Sequence, residues 1–225
     1  MRTKLFVIVA VWGMGFSLML SEAQASIRLS LVGALNFSAP ALQSSTQTQG
    51  GATANITGTS ASIAAGVGVL GDYSLLPNLE LELGFLYMPR QYMIDTTVSG
   101  SAPVTGQLVT YFFEKKAQIP LLVRFWPLSF LSVGAGGYFE QGIGDIAITP
   151  ALSSTTDYES YEFEGINRSD FGLIGSVQSK VMLGAGLNWI ADLRYVFGLT
   201  NVDTSGTPSY YYRDVQFLTG IGIEL

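Results

Sequence analysis

The segment that most restricts the fold is residues 214–225, because it alternates with a period of two. One face carries mainly apolar side chains and the other carries small, polar and charged ones, apart from Leu218. The first face comprises Val215, Phe217, Thr219, Ile221, Ile223 and Leu225, and the second comprises Asp214, Gln216, Gly220, Gly222 and Glu224. Such alternation predicts a β-strand. A continuous apolar face backed by a polar one is typical of a sheet with lipid on one side and a polar lumen on the other.

The amino-terminal residues have the pattern of an export signal. Arg2 and Lys4 precede an apolar run over residues 5–20, and the small residues Ala23 and Ala25 stand at the positions that a signal peptidase reads. The run is shorter than the roughly 20 residues that a membrane-spanning helix needs. We therefore expect residues 1–25 to be a cleaved signal peptide and residues 26–225 to form one outer-membrane β-barrel domain.

Charge and cysteine content exclude several classes of protein. Residues 26–225 contain 9 basic and 16 acidic side chains, a net charge of −7, because Arg2, Lys4 and Glu22 belong to the predicted signal. Nucleic acid is therefore not an expected partner. The chain has no cysteine, so a disulfide scaffold is impossible and an exported domain must be stabilised in another way, such as by a closed sheet.

Eight segments alternate between apolar and polar faces. They are residues 27–37, 62–73, 79–87, 117–125, 131–140, 170–181, 189–199 and 214–225. Long polar connections at 39–60, 89–112, 141–169 and 201–212 follow the odd-numbered strands, and short turns at Pro77, Pro127 and Gly184 follow the even-numbered ones. This asymmetry predicts an all-β, transmembrane, antiparallel up-and-down β-barrel with short periplasmic turns and four long extracellular loops. A barrel of eight strands is filled by its own side chains.

The strand segments also resemble a known family. Residues 118–124, 131–138, 170–175, 192–201 and 220–225 read QIPLLVR, LSVGAGGY, DFGLIG, DLRYVFGLTN and GIGIEL. They resemble outer-membrane β-barrel domains of the OmpA/OmpX/PorT type. The resemblance implies residence in outer-membrane lipid and insertion by the barrel assembly machinery. One departure is Leu225, which stands where such barrels usually carry an aromatic residue.

Charged residues on the predicted inner face are the candidate site. They are Arg28, Glu80, Glu82, Arg124, Glu140, Asp170, Lys180, Asp192, Arg194 and Glu224. One interpretation is a gated path for protons or ions, and the other is a packed network of salt bridges. Unpaired charges in a narrow lumen are costly to desolvate, so mixed signs on different strands favour the network. We expect Arg124 and Arg194 to pair within the set Glu80, Glu82, Asp192 and Glu224.

Two predicted loops carry other candidate groups. The third contains Asp145, Asp157, Glu159, Glu162 and Glu164, which favour a solvated acidic loop over a divalent-cation site because no glycine-pinned calcium motif is present. The fourth contains Tyr210, Tyr211 and Tyr212. These tyrosines suit either surface recognition or an aromatic belt at the headgroup level.

The chain has few residues of the types that carry catalysis. The chain contains neither histidine nor cysteine, and barrel enzymes known by resemblance rely on a histidine. We therefore predict a non-enzymatic barrel without a cofactor, whose surface loops contact a ligand or protein partner and whose body helps to organise the membrane. The alternative is a narrow, porin-like solute or ion channel. A soluble lipocalin-like barrel is a third possibility, against which the charged inner face argues.

Overall fold

Strands account for nearly all of the chain that the structure describes. The structure is a computed structural model, and it describes residues 26–38, 41–42, 46–49, 52–100, 106–144, 146–150, 159–161, 167–201 and 210–225. The predicted signal peptide lies outside these residues. Within them, no helix is long and apolar enough to cross a bilayer.

Eight strands form the wall of a barrel. They are β1 (Ile27–Ser38), β4 (Ala52–Leu76), β5 (Leu79–Tyr87), β8 (Lys116–Leu128), β9 (Leu131–Gly142), β12 (Ser169–Gly184), β13 (Leu187–Gly198) and β15 (Arg213–Glu224). Each pairs antiparallel with its neighbours in chain order, and β1 pairs with both β4 and β15. Leu31, for example, lies opposite Ile221 on one side and Val69 on the other. The sheet is closed, which confirms the predicted eight-stranded barrel.

The two faces of the wall follow the predicted alternation. Along β1, every odd-numbered residue from Ile27 to Phe37 is exposed and every even-numbered one is buried. The same register holds on β5, where Glu82 is fully buried and the adjacent Leu83 is 55% exposed. Exposed apolar side chains belong in lipid, so we define the membrane-spanning segments by them: residues 27–37, 63–76, 79–87, 117–128, 131–140, 170–183, 187–199 and 214–225.

Short turns close one end of the barrel, and we place this end in the periplasm. They lie at residues 77–78, 129–130 and 185–186. The second differs from the prediction, since Pro127 lies within β8 and the turn follows it. In the third, Gly184, Ala185 and Gly186 have φ angles of 104°, 51° and 76°, a left-handed conformation that glycine adopts at little cost.

Long connections lie at the other end, as predicted, but they are not irregular loops throughout, since much of their described length is strand. In the described parts of these connections lie seven further strands: β2 (Ala41–Leu42), β3 (Thr46–Gln49), β6 (Arg90–Gly100), β7 (Gly106–Glu114), β10 (Ile146–Pro150), β11 (Glu159–Tyr161) and β14 (Tyr210–Tyr211). The upper half of β4 pairs with β6, β6 with β7, β7 with β10 and β10 with β11. Threonine, valine, isoleucine and aromatic residues in these connections favour strands even where the sequence is polar.

Candidate functional site: a lumen filled in layers

At the periplasmic end, the lumen contains a network of charged side chains around an indole ring. Arg28 lies 3.0 Å from Asp72 and 3.2 Å from Glu80, and Lys180 lies 3.8 Å from Glu80 and 3.6 Å from Glu224. The Lys180 ammonium is also 4.5 Å from the centre of the Trp126 ring, within the range of a cation–π interaction. These contacts tie the first strand to the last through the interior.

The middle layer has two arginines and two carboxylates. Arg124 contacts Glu82 at 2.6 Å and Asp192 at 2.5 Å, and Arg194 contacts each of the same two residues at 2.8 Å. Ser176 accepts a hydrogen bond from Arg124 and donates one to Asp192. All four charged side chains are fully buried, and their formal charges cancel. Charge balance and close contact are what a desolvated ion cluster requires.

An apolar layer lies above this cluster. One group of buried side chains comprises Val32, Ala34, Leu70, Leu86, Met88, Ile190 and Leu218, and another comprises Leu122, Tyr138, Ile174 and Val196. Glycines let the wall approach these side chains closely. A Cβ atom on Gly68 would overlap the side chain of Leu86, and one on Gly84 would overlap that of Leu70. The layer therefore leaves little space for water or ions.

The extracellular layer is centred on Arg90, which is fully buried. Its guanidinium lies 2.5 Å from Glu140, 2.7 Å from Asp214 and 3.7 Å from Asp170, and 3.8 Å from the centre of the Tyr212 ring. Tyr138 donates a hydrogen bond to Asp170 at 2.6 Å. Arg90 comes from β6, just beyond the barrel wall, so the first residue of the extracellular sheet also reaches into the mouth of the lumen.

Glu114, Tyr92 and Tyr212 form a lid over Arg90. Both tyrosine hydroxyls donate to Glu114 at 2.8 Å, and Lys116 contacts the same carboxylate at 2.9 Å. The Tyr92 ring stacks on Phe112 with centroids 5.1 Å apart. Burial alone would raise the pKa of Glu114, but the Lys116 ammonium and the hydrogen bonds hold that pKa below its ordinary value. The lid is therefore built around an ionised carboxylate.

All ten predicted residues lie on the lumen side of the wall, but in separate layers. Glu82, Arg124, Asp192 and Arg194 form the middle cluster. Arg28, Glu80, Lys180 and Glu224 form the periplasmic network. Glu140 and Asp170 join Arg90 at the extracellular end. The apolar layer separates that end from Arg124 and Arg194.

Several members of these layers were not among the predicted residues. They are Asp72, Arg90, Glu114, Lys116 and Asp214. Arg90 directly follows Pro89, where a loop was predicted to begin. A signal was present nevertheless, because Leu86, Met88, Arg90 and Tyr92 continue the inward parity of β5 through the proline.

The tyrosine prediction needs a correction at one position. Tyr212 was predicted to serve either in surface recognition or in an aromatic belt, but it is 1% exposed and lies inside the mouth. It lies between β14 and β15 with the same inward parity as Asp214, and Arg90 and Glu114 contact it. The acidic residues Asp145, Asp157, Glu162 and Glu164 lie outside the described residues, and for Glu159 only the backbone is described.

Comparison with known proteins agrees with the architecture. Residues 22–204 match the family model described as outer membrane protein beta-barrel domain. The chain belongs to this family. No curated protein matches the chain by sequence. The family and the fold together place the protein in the outer membrane.

Solved structures of outer-membrane proteins share the fold at low sequence identity. The outer membrane protein OprG from Pseudomonas aeruginosa is 16% identical, with a TM-score of 0.50 over 89% of this chain and 96% of that one. The attachment invasion locus protein Ail of Yersinia pestis is 11% identical, with a TM-score of 0.47 over 90% of this chain and 100% of that one. At these identities the similarity shows the fold alone.

Proposed function

We propose that the protein is a non-enzymatic outer-membrane barrel whose lumen stays closed and whose extracellular hairpins contact surface partners, while its body helps to organise the membrane. The observation that carries this proposal is the sequence of layers inside the barrel: two ion-paired layers with an apolar layer between them. A filled interior supports a structural scaffold, on which binding depends on the parts outside the membrane.

The layers oppose conduction for a physical reason. An ion entering from outside meets Arg90, whose guanidinium is held by Glu140 and Asp214. It then meets the apolar layer, where nothing replaces its hydration shell. The next cluster, around Arg124, has no net charge with which to attract it.

The state of the carboxylates supports a role without catalysis. Each of the nine carboxylates on the lumen side lies within 4.0 Å of a lysine or arginine nitrogen; they belong to Asp72, Glu80, Glu82, Glu114, Glu140, Asp170, Asp192, Asp214 and Glu224. Carboxylates held in this way serve to neutralise the buried basic side chains of the lumen. The chain also lacks the histidine and cysteine that would supply other chemistry.

Extracellular β-structure supports a contact role for the hairpins. The sheet formed by β4, β6, β7, β10 and β11 continues the wall beyond the membrane-spanning segments. Strands hold a surface in a defined shape at a lower ordering cost on binding than irregular loops would.

The experiment is single-channel recording of the purified, folded protein in planar bilayers. We expect no stable, discrete openings from the natural protein. A porin of known conductance, reconstituted in the same bilayers, is the control that shows the assay can detect an open barrel. Stable openings of the natural protein would instead support the narrow channel.

We also propose that the mature domain begins at Ser26 and is inserted by the barrel assembly machinery. Ser26 already belongs to the barrel, since its carbonyl accepts a hydrogen bond from the Ser74 amide at 3.1 Å and the two hydroxyls lie 2.9 Å apart. Amino-terminal sequencing of protein isolated from outer membranes should begin at Ser26. A different first residue would move the domain boundary.

A further inference from the structure

The three short hairpins at the periplasmic end contain no charged residue. Residues 73–79, 125–131 and 181–189 read YSLLPNL, FWPLSFL and VMLGAGLNW. Large apolar side chains are nevertheless about half exposed in each hairpin; they belong to Leu76, Leu128, Phe130 and Leu183. We call these four residues the apolar crown. Exposed apolar side chains that lie together mark a surface that contacts another molecule or a membrane.

A shift in strand pairing turns two members of the crown toward the lipid side. Even-numbered residues of β4 and β8 otherwise face the lumen. Near the turns the pairing shifts, so that Leu76 lies opposite Leu79. In the same way, Leu128 lies opposite Leu131. Paired residues share a face of the sheet, and both partners have the outward parity of their strands. The lipid-facing surface therefore continues down to the turns.

Each turn is also hydrogen-bonded to the hairpin beside it. The carbonyl oxygen of Asn78 accepts a hydrogen bond from a backbone amide of β8, that of Phe130 from β12, and that of Gly186 from β15, at 2.9 to 3.0 Å. Backbone groups without a partner are excluded from the lipid interior. Because these carbonyl groups have partners, the turns are suited to lie within the membrane boundary.

The lipid-facing band is taller than the membrane that it crosses. On β12 the exposed apolar side chains run from Phe171 to Leu183, a distance of about 40 Å along the strand at about 3.3 Å per residue. A strand tilt of about 40° reduces this distance to a height of roughly 30 Å. The apolar band of outer-membrane barrels is usually about 25 Å tall. Some 5 Å of additional apolar surface must therefore be accommodated at one end.

Charged residues fix the extracellular boundary of the band. Lys115 is exposed just before the lipid-facing part of β8, and Arg213 precedes the lipid-facing Val215 on β15. A charged side chain is costly to place in hydrocarbon, so this end cannot sink into the membrane. The periplasmic hairpins have no charge that would hold them out. The additional height therefore lies at the periplasmic end.

We propose that the three hairpins are embedded in the periplasmic leaflet, where the apolar crown contacts the acyl chains of phospholipids. A barrel taller than its membrane thickens the bilayer around it and favours longer acyl chains, and the bacterial outer membrane is thinner than average. The crown thus gives the membrane-organising part of the proposed function a physical basis. The proposal is independent of whether the lumen conducts, so single-channel recording and the experiments below can fail separately.

The first experiment measures the depth of a turn. The chain has no cysteine, so each single-cysteine variant carries one nitroxide label. Phe130→Cys places the label in the second turn, Leu83→Cys on the lipid-facing wall, and Ser99→Cys at an exposed position of β6 outside the membrane. After folding into phosphatidylcholine vesicles, electron paramagnetic resonance compares collisions of each label with oxygen, which dissolves in hydrocarbon, and with a water-soluble nickel chelate.

We expect the label at residue 130 to have the high oxygen-to-nickel collision ratio of the label at residue 83. A low ratio, equal to that of the label at residue 99, would overturn the proposal, because the turn would then stand in water. If Phe130→Cys does not fold, Ser129→Cys in the same turn gives the same comparison.

The second experiment measures the bilayer thickness that the barrel prefers. Urea midpoints of unfolding are compared in phosphatidylcholine vesicles of increasing acyl-chain length. The variant L76N/F130N, which makes two crown positions polar, should shift the most stabilising chain length to shorter chains, since its apolar band is shorter. The matched control L76I/F130L keeps both side chains apolar and should retain the optimum of the natural protein. The same optimum for L76N/F130N and the natural protein would overturn the proposal.

Discussion

Replacing Arg194 with methionine should destabilise the barrel by about 3 to 5 kcal/mol, because it leaves a buried negative charge. Arg194 lies 2.8 Å from both Glu82 and Asp192. At an effective dielectric constant of about 20, each contact represents roughly 6 kcal/mol of attraction, much of which desolvation offsets. Without Arg194, two fully buried carboxylates share Arg124 as their only basic partner in the cluster.

Removing Glu82 as well should restore the charge balance of the buried cluster. The double variant Glu82→Gln/Arg194→Met leaves Arg124 paired with Asp192 at 2.5 Å, a neutral pair. We expect its destabilisation to be smaller than the sum of the two single effects by about 2 to 3 kcal/mol, since each single variant strands a charge and the double variant does not.

The assay is urea-induced unfolding from lipid vesicles, followed by tryptophan fluorescence for the natural protein, both single variants and the double variant. The matched control is the double-mutant cycle of Arg194→Met with Glu140→Gln, because the apolar layer separates Glu140 from Arg194. That control should be additive within about 0.5 kcal/mol. If Arg194→Met is harmless and the Glu82 cycle is additive, the charges are solvated and independent, and the reasoning about a closed lumen is wrong.

Three further predictions test other parts of the structure. Leu83→Arg should cost about 2 to 4 kcal/mol in vesicle refolding, because Leu83 is a lipid-facing residue; a neutral result would mean that the faces are reversed. Gly136→Ala should cost about 1 to 3 kcal/mol because its methyl group meets the next strand, whereas Gly175→Ala, which meets nothing, should be nearly neutral; equal effects would refute the close packing. The pKa of Glu114 is lowered in the folded protein, so its contribution is complete above the unfolded value of about 4.3 and is lost as the pH falls through the folded value. Proteolysis of the extracellular hairpins should therefore accelerate as the pH falls below the unfolded value, and Glu114→Gln should remove that dependence.

The sequence alone was sufficient for the barrel wall, because the alternation that reveals a strand is a local property. Residues one apart in a strand point to opposite faces, so Glu82 and Leu83 could be assigned to lumen and lipid without knowing which strands are neighbours. Even Leu218, apolar on the polar face, could be placed in the lumen by parity. The strands and their count follow from the same rule. The same rule failed in the connections, because threonine-rich polar segments can form either strands or loops.

Only the tertiary structure decided which charges meet. Arg124, Arg194, Glu82 and Asp192 come from β8, β13 and β5, and their contact depends on the stagger of strands that are distant in sequence. Arg90 and Tyr212 continue the inward parity of β5 and β15 beyond the ends of those strands, but only the structure shows that they meet in the mouth. Contacts across the lumen depend on how all eight strands close together. Short-range sequence patterns do not contain that information.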